Sequence, residues 1–177
     1  MNRLQIILCC TVLLCAAAAA SATTFRHLEP AELTAAAELA FSGTVLSTDV
    51  ELRDGEPWTI VTFEVTTLLR DTEAGAVKDG RLRLAFLGGS VAGQQLNVAL
   101  MPGFEAGQQV LLLAYADDYW SPVVGFAQGV WWLSDAGQWL DMWDVPLGLS
   151  EDGELVRGEA SGAAEVEDHL AGLLERP

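Results

Sequence analysis

Residues 58–69 read WTIVTFEVTTLL, and the order of apolar and polar side chains in this stretch decides the fold class. Val61, Phe63 and Val65 alternate with polar residues, which is the period of a β-strand with one face on a core and the other in water. Glu64 lies on the water-facing side of that strand. The chain is therefore expected to be mainly β, with sheet that is solvated on one face.

Further strand patterns lie on both sides of this stretch. Phe41–Leu46 is rich in β-forming residues, which predicts another strand. The turn residues Arg53–Pro57 join it to the strand of residues 58–69 as a long hairpin. Arg81–Leu87 alternates again, with its arginines predicted to face solvent. Val110–Ala114 is continuously apolar, which predicts a strand buried on both faces. A second hairpin is predicted about a four-residue turn, Ser134–Gly137.

Two helices and one long connection complete the predicted domain. Apolar spacing after an N-terminal proline predicts a short helix at Pro30–Leu39. An amphipathic helix is predicted at about residues 161–175, with Ser161 as its N-cap. Residues 88–109 are rich in glycine and are expected to form an irregular, functional or mobile loop. Residues 23–177 are interpreted as a single domain that the C-terminal helix closes.

The first residues have the pattern of a secretory signal peptide. A single basic residue, Arg3, precedes an apolar run that ends in the small residues Ala20-Ser21-Ala22. Cleavage is expected after Ala22, so residues 1–22 would be removed, and the protein would be secreted or periplasmic without membrane insertion. A membrane anchor is the alternative, but the run is short for a span. The chain's cysteines all fall inside the removed segment, so the domain is expected to fold without disulfides: Cys9, Cys10 and Cys15.

Charge and motifs exclude several classes of function. The chain has 9 basic and 25 acidic residues, a formal net charge of −16, and nucleic-acid binding depends on basic side chains that neutralise phosphates. Residues 88–95 have the glycine spacing of a phosphate-binding loop but lack its lysine. His27 and His169 are too few to predict a zinc site, and Gly88–Ala92 lacks the final glycine of a serine-hydrolase elbow. We therefore expect no nucleic-acid partner, no cofactor, no metal and no enzymatic activity.

Four segments carry a resemblance to a known family: AELAFSGTVLS (37–47), TFEVTTLL (62–69), GFEAGQQVLLLAY (103–115) and PVVGFAQGVWWL (122–133). Between about Leu33 and Leu133 the chain resembles secreted bacterial domains of poorly defined function, whose pattern is similar to the netrin-like modules of tissue inhibitors of metalloproteinases. The resemblance implies a five-stranded OB-like antiparallel barrel with a short N-terminal helix and a C-terminal amphipathic helix. It also implies that the protein acts by binding another protein, with secreted metalloproteases as one class of partner.

The chain departs from those inhibitors at its predicted mature N-terminus. The inhibitors chelate the protease zinc through an N-terminal cysteine that disulfides hold against the barrel. Here the first residue after cleavage would be Thr23, whose α-amine could ligate a metal but which no covalent bond would fix in place. The resemblance therefore supports the predicted fold more strongly than it supports the zinc-chelating mechanism.

Tryptophans mark the candidate binding surface. Trp131 and Trp132 are adjacent, so they point to opposite faces of a strand. With a four-residue turn, Trp132 would lie opposite Trp139 on one face, with Trp120 and Trp143 as neighbours. The alternative is that the C-terminal helix covers the Trp132 and Trp139 rings, which would make them core.

Two functional classes follow from these tryptophans, and a third stays open. The first is a secreted non-catalytic module that binds a protein through aromatic anchors. The second is a carbohydrate- or envelope-binding module in which tryptophan rings form sugar platforms. The third is a hydrolase that uses carboxylates. The exposure of the rings is the observation that separates the binding classes from a structural role.

Overall fold

The structure is a computed structural model, and it describes residues 26–72, 75–116 and 119–175. The predicted signal peptide, its cleavage site and Thr23 lie outside the described residues.

The described part of the chain is mainly β, with two helices. The helices are α1 (Pro30–Ala36) and α2 (Ala163–Leu174). The strands are β1 (Leu39–Arg53), β2 (Glu56–Asp71), β3 (Arg81–Leu87), β4 (Gly89–Val91), β5 (Gln94–Leu96), β6 (Gln109–Ala114), β7 (Val130–Leu133), β8 (Trp139–Leu140), β9 (Pro146–Leu149) and β10 (Leu155–Arg157). Helix α1 ends earlier than predicted because the backbone is already extended at Ala37, from which the chain enters β1.

The strands form one large antiparallel sheet and one small hairpin. The large sheet has eight strands in the order β10-β9-β8-β7-β6-β1-β2-β3, and β4 pairs with β5. This result confirms the mainly β class, the antiparallel pairing and both predicted helices. It does not show the predicted closed five-stranded barrel, because no ladder joins the two ends of the sheet within the described residues. The predicted second hairpin is present as β7 and β8, with a second arm shorter than the Gln138–Trp143 expected, and β9 and β10 extend the sheet by two short strands that the sequence pattern did not predict.

The β1–β2 hairpin is the largest unit of the sheet. Its turn residues Asp54 and Gly55 both have positive φ, 50° and 86°, as a two-residue hairpin turn that follows the strand twist requires. The pairing shifts register at three places, between Ala40 and Phe41, between Ser42 and Gly43, and between Val45 and Ser47. Such irregularities bend a strand and increase its twist. The long hairpin therefore curves rather than lying flat.

Strand β6 separates two hydrophobic cores. All residues of Val110–Ala114 are buried, as the continuous apolar run predicted. Alternate side chains reach opposite faces. The inner core includes Phe41, Phe63, Phe86, Leu112 and Val130. The helix-side core includes Leu33, Leu111, Leu113, Trp131, Trp139, Leu147, Val166 and Leu170.

The curved sheet brings β3 and β7 to one core. In a flat sheet these strands, four spacings apart in the order, would be about 19 Å apart. Yet Leu82 and Phe86 of β3 share the inner core with Val130 of β7. The Phe104 ring lies between the two strands, with its centroid 5.1 Å from Phe86 and 6.0 Å from Trp132. Side-chain packing, rather than a hydrogen-bonded ladder, therefore bridges this gap.

Helix α2 covers the opposite face of the sheet. It buries Val166, Leu170 and Leu174, which confirms its predicted amphipathic side. Its N-cap is Gly162 rather than the predicted Ser161, whose hydroxyl oxygen instead accepts a hydrogen bond from the Leu149 N–H at 3.0 Å. The Ser161 side chain thus fixes β9 rather than the helix.

The C-terminal ends of both helices are held by one side chain of β2. The Arg70 guanidinium donates to the Ala37 carbonyl at 2.9 Å and to the Leu174 carbonyl at 2.8 Å. Carbonyl groups near a helix end lack helical partners and carry partial negative charge. Arg70 therefore ties α1 and α2 to the sheet.

Candidate functional site

Two of the four predicted site tryptophans belong to the cores. Trp139 is 2% exposed, and its Nε1–H donates to the Ala163 carbonyl at 3.3 Å at the start of α2. Trp132 is half-buried on the other face, next to Phe104. The prediction that Trp132 and Trp139 share a face is therefore wrong, and the alternative that the closing helix covers both rings holds for Trp139 but not for Trp132.

A turn one residue shorter than predicted explains this difference. The Ser134 N–H donates to the Gln138 carbonyl at 2.9 Å, so the loop between them has three residues and Gly137 takes a φ of 74°. Three-residue hairpin loops commonly end in such a left-handed position. The ladder consequently pairs Leu133 with Trp139. A shift of one residue moves a side chain to the opposite face of a strand.

The other two predicted tryptophans are exposed. Trp120 is 67% exposed and Trp143 is 46% exposed. Because Trp139 is buried, the four tryptophans do not form one exposed patch. The Trp143 N–H donates to Asp141 Oδ1 at 2.9 Å in the turn after β8. Trp120 lies in the connection between β6 and β7.

Trp120 belongs to an aromatic groove, which we define by Tyr115, Tyr119, Trp120, Ser121, Val123 and Phe126. The groove has a volume of about 510 Å³. The rings of Tyr115 and Tyr119 lie 4.9 Å apart, and Tyr119 is 50% exposed. The backbone beneath is fixed, because the Trp120 carbonyl accepts the Leu87 N–H at 2.8 Å. The groove therefore presents exposed rings on an anchored chain.

The segment that follows Trp120 shapes one wall of the groove. Gly125 and Phe126 have φ values of 65° and 72°, and the left-handed region is rarely adopted by a residue as bulky as phenylalanine. The Ser121 hydroxyl donates to the Phe126 carbonyl at 2.5 Å, and the Phe126 N–H donates to the Val123 carbonyl at 3.0 Å. Backbone strain of this kind clusters at functional sites, so it strengthens the groove as a candidate.

The buried side chain of Gln128 stabilises this wall of the groove, and the sequence pattern predicted no role for it. Its side chain is buried; Oε1 accepts the Leu28 N–H at 2.8 Å, and Nε2 donates to the Arg26 carbonyl at 3.0 Å and to the Gly125 carbonyl at 3.3 Å. One amide thus joins the segment before α1 to the strained turn. The only signal in the sequence is a polar residue between the glycines of an otherwise apolar run.

A buried ion pair lies outside the groove. Arg157 Nη1 is 2.6 Å from Asp141 Oδ2, with side-chain exposures of 10% and 2%. Asp141 Oδ1 also accepts the backbone N–H groups of Trp143 and Val145. Because both charged groups are enclosed and hydrogen-bonded, their role is to hold the turn between β8 and β9.

A second cleft of about 550 Å³ adjoins the groove, and Tyr115 and Tyr119 line both. Its opposite wall is the β3 segment Leu82–Ala85, and Arg53 and Arg83 bring positive charge to it. The two depressions therefore form a continuous surface, apolar at one end and cationic at the other.

Neither histidine belongs to a group of possible metal ligands within the described residues. His27 is exposed and His169 is half-buried, and they lie on separate elements, one before α1 and one in α2. Within residues 26–72, 75–116 and 119–175, no group of three or more His, Cys, Asp or Glu side chains could hold a metal ion.

None of the helices in the described segments has the length and apolar character needed to cross a membrane. Comparison of the chain with protein-family models, with curated proteins and with solved structures gave no match.

Proposed function

We propose that this chain is a secreted or periplasmic, non-catalytic binding protein whose aromatic groove takes apolar side chains of a partner protein. The exposure of Trp120, 67%, beside two tyrosine rings is the observation that carries the proposal. Tryptophan and tyrosine are enriched among the residues that dominate binding energy at protein interfaces. Leaving such rings in water has no benefit for folding, since burying them would stabilise the chain.

A partner protein fits the groove better than a sugar does. Sugar recognition needs polar groups beside the ring to meet hydroxyls, and the Ser121 hydroxyl already donates to the Phe126 carbonyl. The two tyrosine hydroxyls are the polar groups that support carbohydrate binding as the alternative function. A glycan array probed with the purified protein tests that alternative directly.

The kind of partner follows from the resemblance to netrin-like modules. The strand order β3-β2-β1-β6-β7, curved around the inner core with Phe104 between its ends, supports an OB-type barrel that is closed by side chains. A secreted protease, including a metalloprotease, is the partner class that this relationship supports. Inhibition of zinc proteases from the same secretome by the purified protein would test it.

Capture of proteins from the native secretome tests the groove itself. Trp120→Ser should weaken capture of the main partner about 30-fold, equivalent to about 2 kcal/mol for one aromatic anchor. Trp143→Ser is the matched control, because it removes an exposed tryptophan outside the groove and should leave capture unchanged. Equal capture by the wild type and the Trp120→Ser variant, with far-UV spectra intact, would contradict the proposal.

A further inference from the structure

Strand β3 is the outer strand of the large sheet, and one part of its edge has no partner strand within the described residues. On one side, β3 pairs with β2 from Leu87 opposite Trp58 to Arg81 opposite Glu64. Backbone bonds at the two ends of this ladder, Gly88 N–H to the Pro57 carbonyl and Val65 N–H to the Gly80 carbonyl, are both 2.8 Å. Because antiparallel bonds fall on alternate residues, Leu82, Leu84 and Phe86 bond to β2. The N–H and C=O groups of the intervening residues therefore point away from the sheet: Arg81, Arg83, Ala85 and Leu87.

Both ends of this outer row are satisfied, and its middle is not. Arg81 exchanges backbone hydrogen bonds with Lys78 at 2.8 and 2.9 Å, and the Leu87 N–H donates to the Trp120 carbonyl at 2.8 Å. Arg83 and Ala85 have no backbone partner on this side among the described residues. Unpaired groups of this kind are a template on which another strand can pair.

The open edge forms a wall of the cationic cleft. Leu82, Arg83, Leu84 and Ala85 line one side, and Tyr115, Ala116, Tyr119 and Pro122 line the other. Between the bonded ends, the open part of the edge from Leu82 to Phe86 spans about 13 Å, at about 3.3 Å per residue. That length accommodates an extended segment of about four residues, with space for its side chains in the cleft of about 550 Å³.

Two arginines line the described part of the cleft, although the chain as a whole is acidic. The chain has a net charge of −16, yet Arg53 and Arg83 both line the cleft. Arg53 is paired with Glu51 at 2.7 Å, whereas Arg83 is exposed and makes no ion pair within the described residues. Asp71, the one carboxylate among the described lining residues, accepts the N–H groups of Gly75 and Ala76 at 3.0 and 3.3 Å. An acidic ligand is the complement of this arrangement.

We infer that the cleft binds an extended acidic segment of a partner protein as an added strand on β3. Its backbone pairs with Arg83 and Ala85, a carboxylate meets the Arg83 guanidinium, and a neighbouring apolar or aromatic side chain enters the aromatic groove beyond Tyr119. In such strand addition the main-chain bonds give affinity and the side-chain pockets give specificity. This inference rests on the proposed function, whose groove it joins to a specific mode of recognition.

Selection of short random peptides displayed on phage, with the purified protein as bait, supplies a defined probe. Enriched peptides should combine Asp or Glu with an aromatic or branched apolar residue a few positions away. On binding to isotope-labelled protein, they should protect the amides of Arg83 and Ala85 from hydrogen exchange. Protection is measured on the unaltered protein, so it does not depend on a variant's folding.

Two pairs of variants separate the contribution of backbone pairing to peptide binding from the contribution of charge. Ala85→Pro removes an outward N–H without touching a bond to β2, a position where sheets tolerate proline, and it should weaken peptide binding at least about tenfold. Ala85→Ser is its control, because it keeps the N–H and should bind as the wild type does. Arg83→Glu should weaken binding of the acidic peptides by a similar factor, whereas Arg83→Lys should retain most of it.

Each other outcome has a definite meaning. Absence of enriched peptides, or equal enrichment on the Ala85→Pro variant, would overturn strand addition. Peptides that lose binding on Trp120→Ser but leave the Arg83 and Ala85 amides unprotected would overturn it too, while the proposed function stands. Peptides that protect both amides but bind Trp120→Ser unchanged would overturn the aromatic groove and support the strand pairing. Amide protection that appears with a dimer and without peptide would assign the edge to a second copy of the chain.

Discussion

Replacement of Phe104 by alanine tests how the curved sheet is held together. The Phe104 ring is half-buried and lies 5.5 Å from Phe63, 5.1 Å from Phe86 and 6.0 Å from Trp132, so it contacts β2, β3 and β7 at once. A fully buried phenylalanine costs about 3 to 5 kcal/mol on truncation to alanine, and partial burial reduces that to about 2 kcal/mol. Three ring pairs at about 0.5 kcal/mol each raise the expected loss to about 3.5 kcal/mol.

Urea unfolding followed by far-UV circular dichroism measures this loss. Tryptophan fluorescence is the poorer probe, because the Trp132 ring itself adjoins the substituted position. Phe104→Leu keeps most of the apolar volume and removes the ring pairs, so it should lose about 1.5 kcal/mol. Leu52→Ala, at a side chain that is 44% exposed, is the control and should stay within about 0.5 kcal/mol of the wild type.

The result that would refute the reasoning is a loss below about 1 kcal/mol for Phe104→Ala, with an unchanged dependence on urea. The ring would then fill space at the surface without joining β3 to β7. The inner core would have to be held across that gap by the aliphatic residues alone.

Three further predictions concern glycine, charge and the central strand. Gly43→Ala should destabilise the protein by about 1 to 3 kcal/mol, because the new Cβ would lie 2.3 Å from the Glu64 carbonyl oxygen. Gly172→Ala in α2, where a Cβ would have nothing within 4 Å, should stabilise the protein by about 0.5 to 1 kcal/mol. Thermal unfolding of both variants checks these two predictions. Arg157→Met should cost about 3 to 5 kcal/mol by leaving the buried Asp141 carboxylate unpaired, and adding Asp141→Asn should recover part of that loss in chemical denaturation; no recovery would contradict the ion-pair account. Leu112→Ala should cost about 2 to 5 kcal/mol in the same assay because the side chain is fully buried, and a loss below 1 kcal/mol would place it outside the core.

The strands were predictable because alternation is a local property. Val61 and Phe63 are buried and Glu64 is exposed, as the pattern of residues 58–69 predicted, and the apolar run of β6 is buried on both faces. These assignments need only the side-chain period of a strand. No contact between residues distant in the sequence is needed to assign these strands.

The contacts that joined distant residues were not predictable. Phe104 lies in residues 88–109, which were predicted as an irregular loop, and only the curvature of the sheet brings its ring to β3 and β7. Gln128 bonds to Leu28 and Arg26, about one hundred positions away. Neither contact leaves a periodic signal, because it depends on where the fold places two segments.

The candidate site was predictable only in part. Trp120 was identified from the sequence, and the structure places it in an aromatic groove. Its expected neighbours were wrong: Trp139 is buried because the β7–β8 turn is one residue shorter than predicted, and Trp120 lies beside Tyr115 and Tyr119 instead. The tyrosines that line the groove follow β6 in a segment without periodicity, so no pattern could have selected them.

The double burial of β6 has a consequence for how strand pairing is encoded. In most strands a slip of one residue exchanges apolar and polar faces, and the hydrophobic effect itself corrects the error. In Val110–Ala114 a slip would exchange one apolar set for another, so polarity cannot distinguish the native alignment from its neighbours. The information has to reside in shape. Gly129, immediately before β7, has no space for a Cβ, because that atom would lie 2.9 Å from the Leu113 carbonyl oxygen of β6. Steric fit of this kind, rather than polarity, therefore aligns β6 with its neighbours.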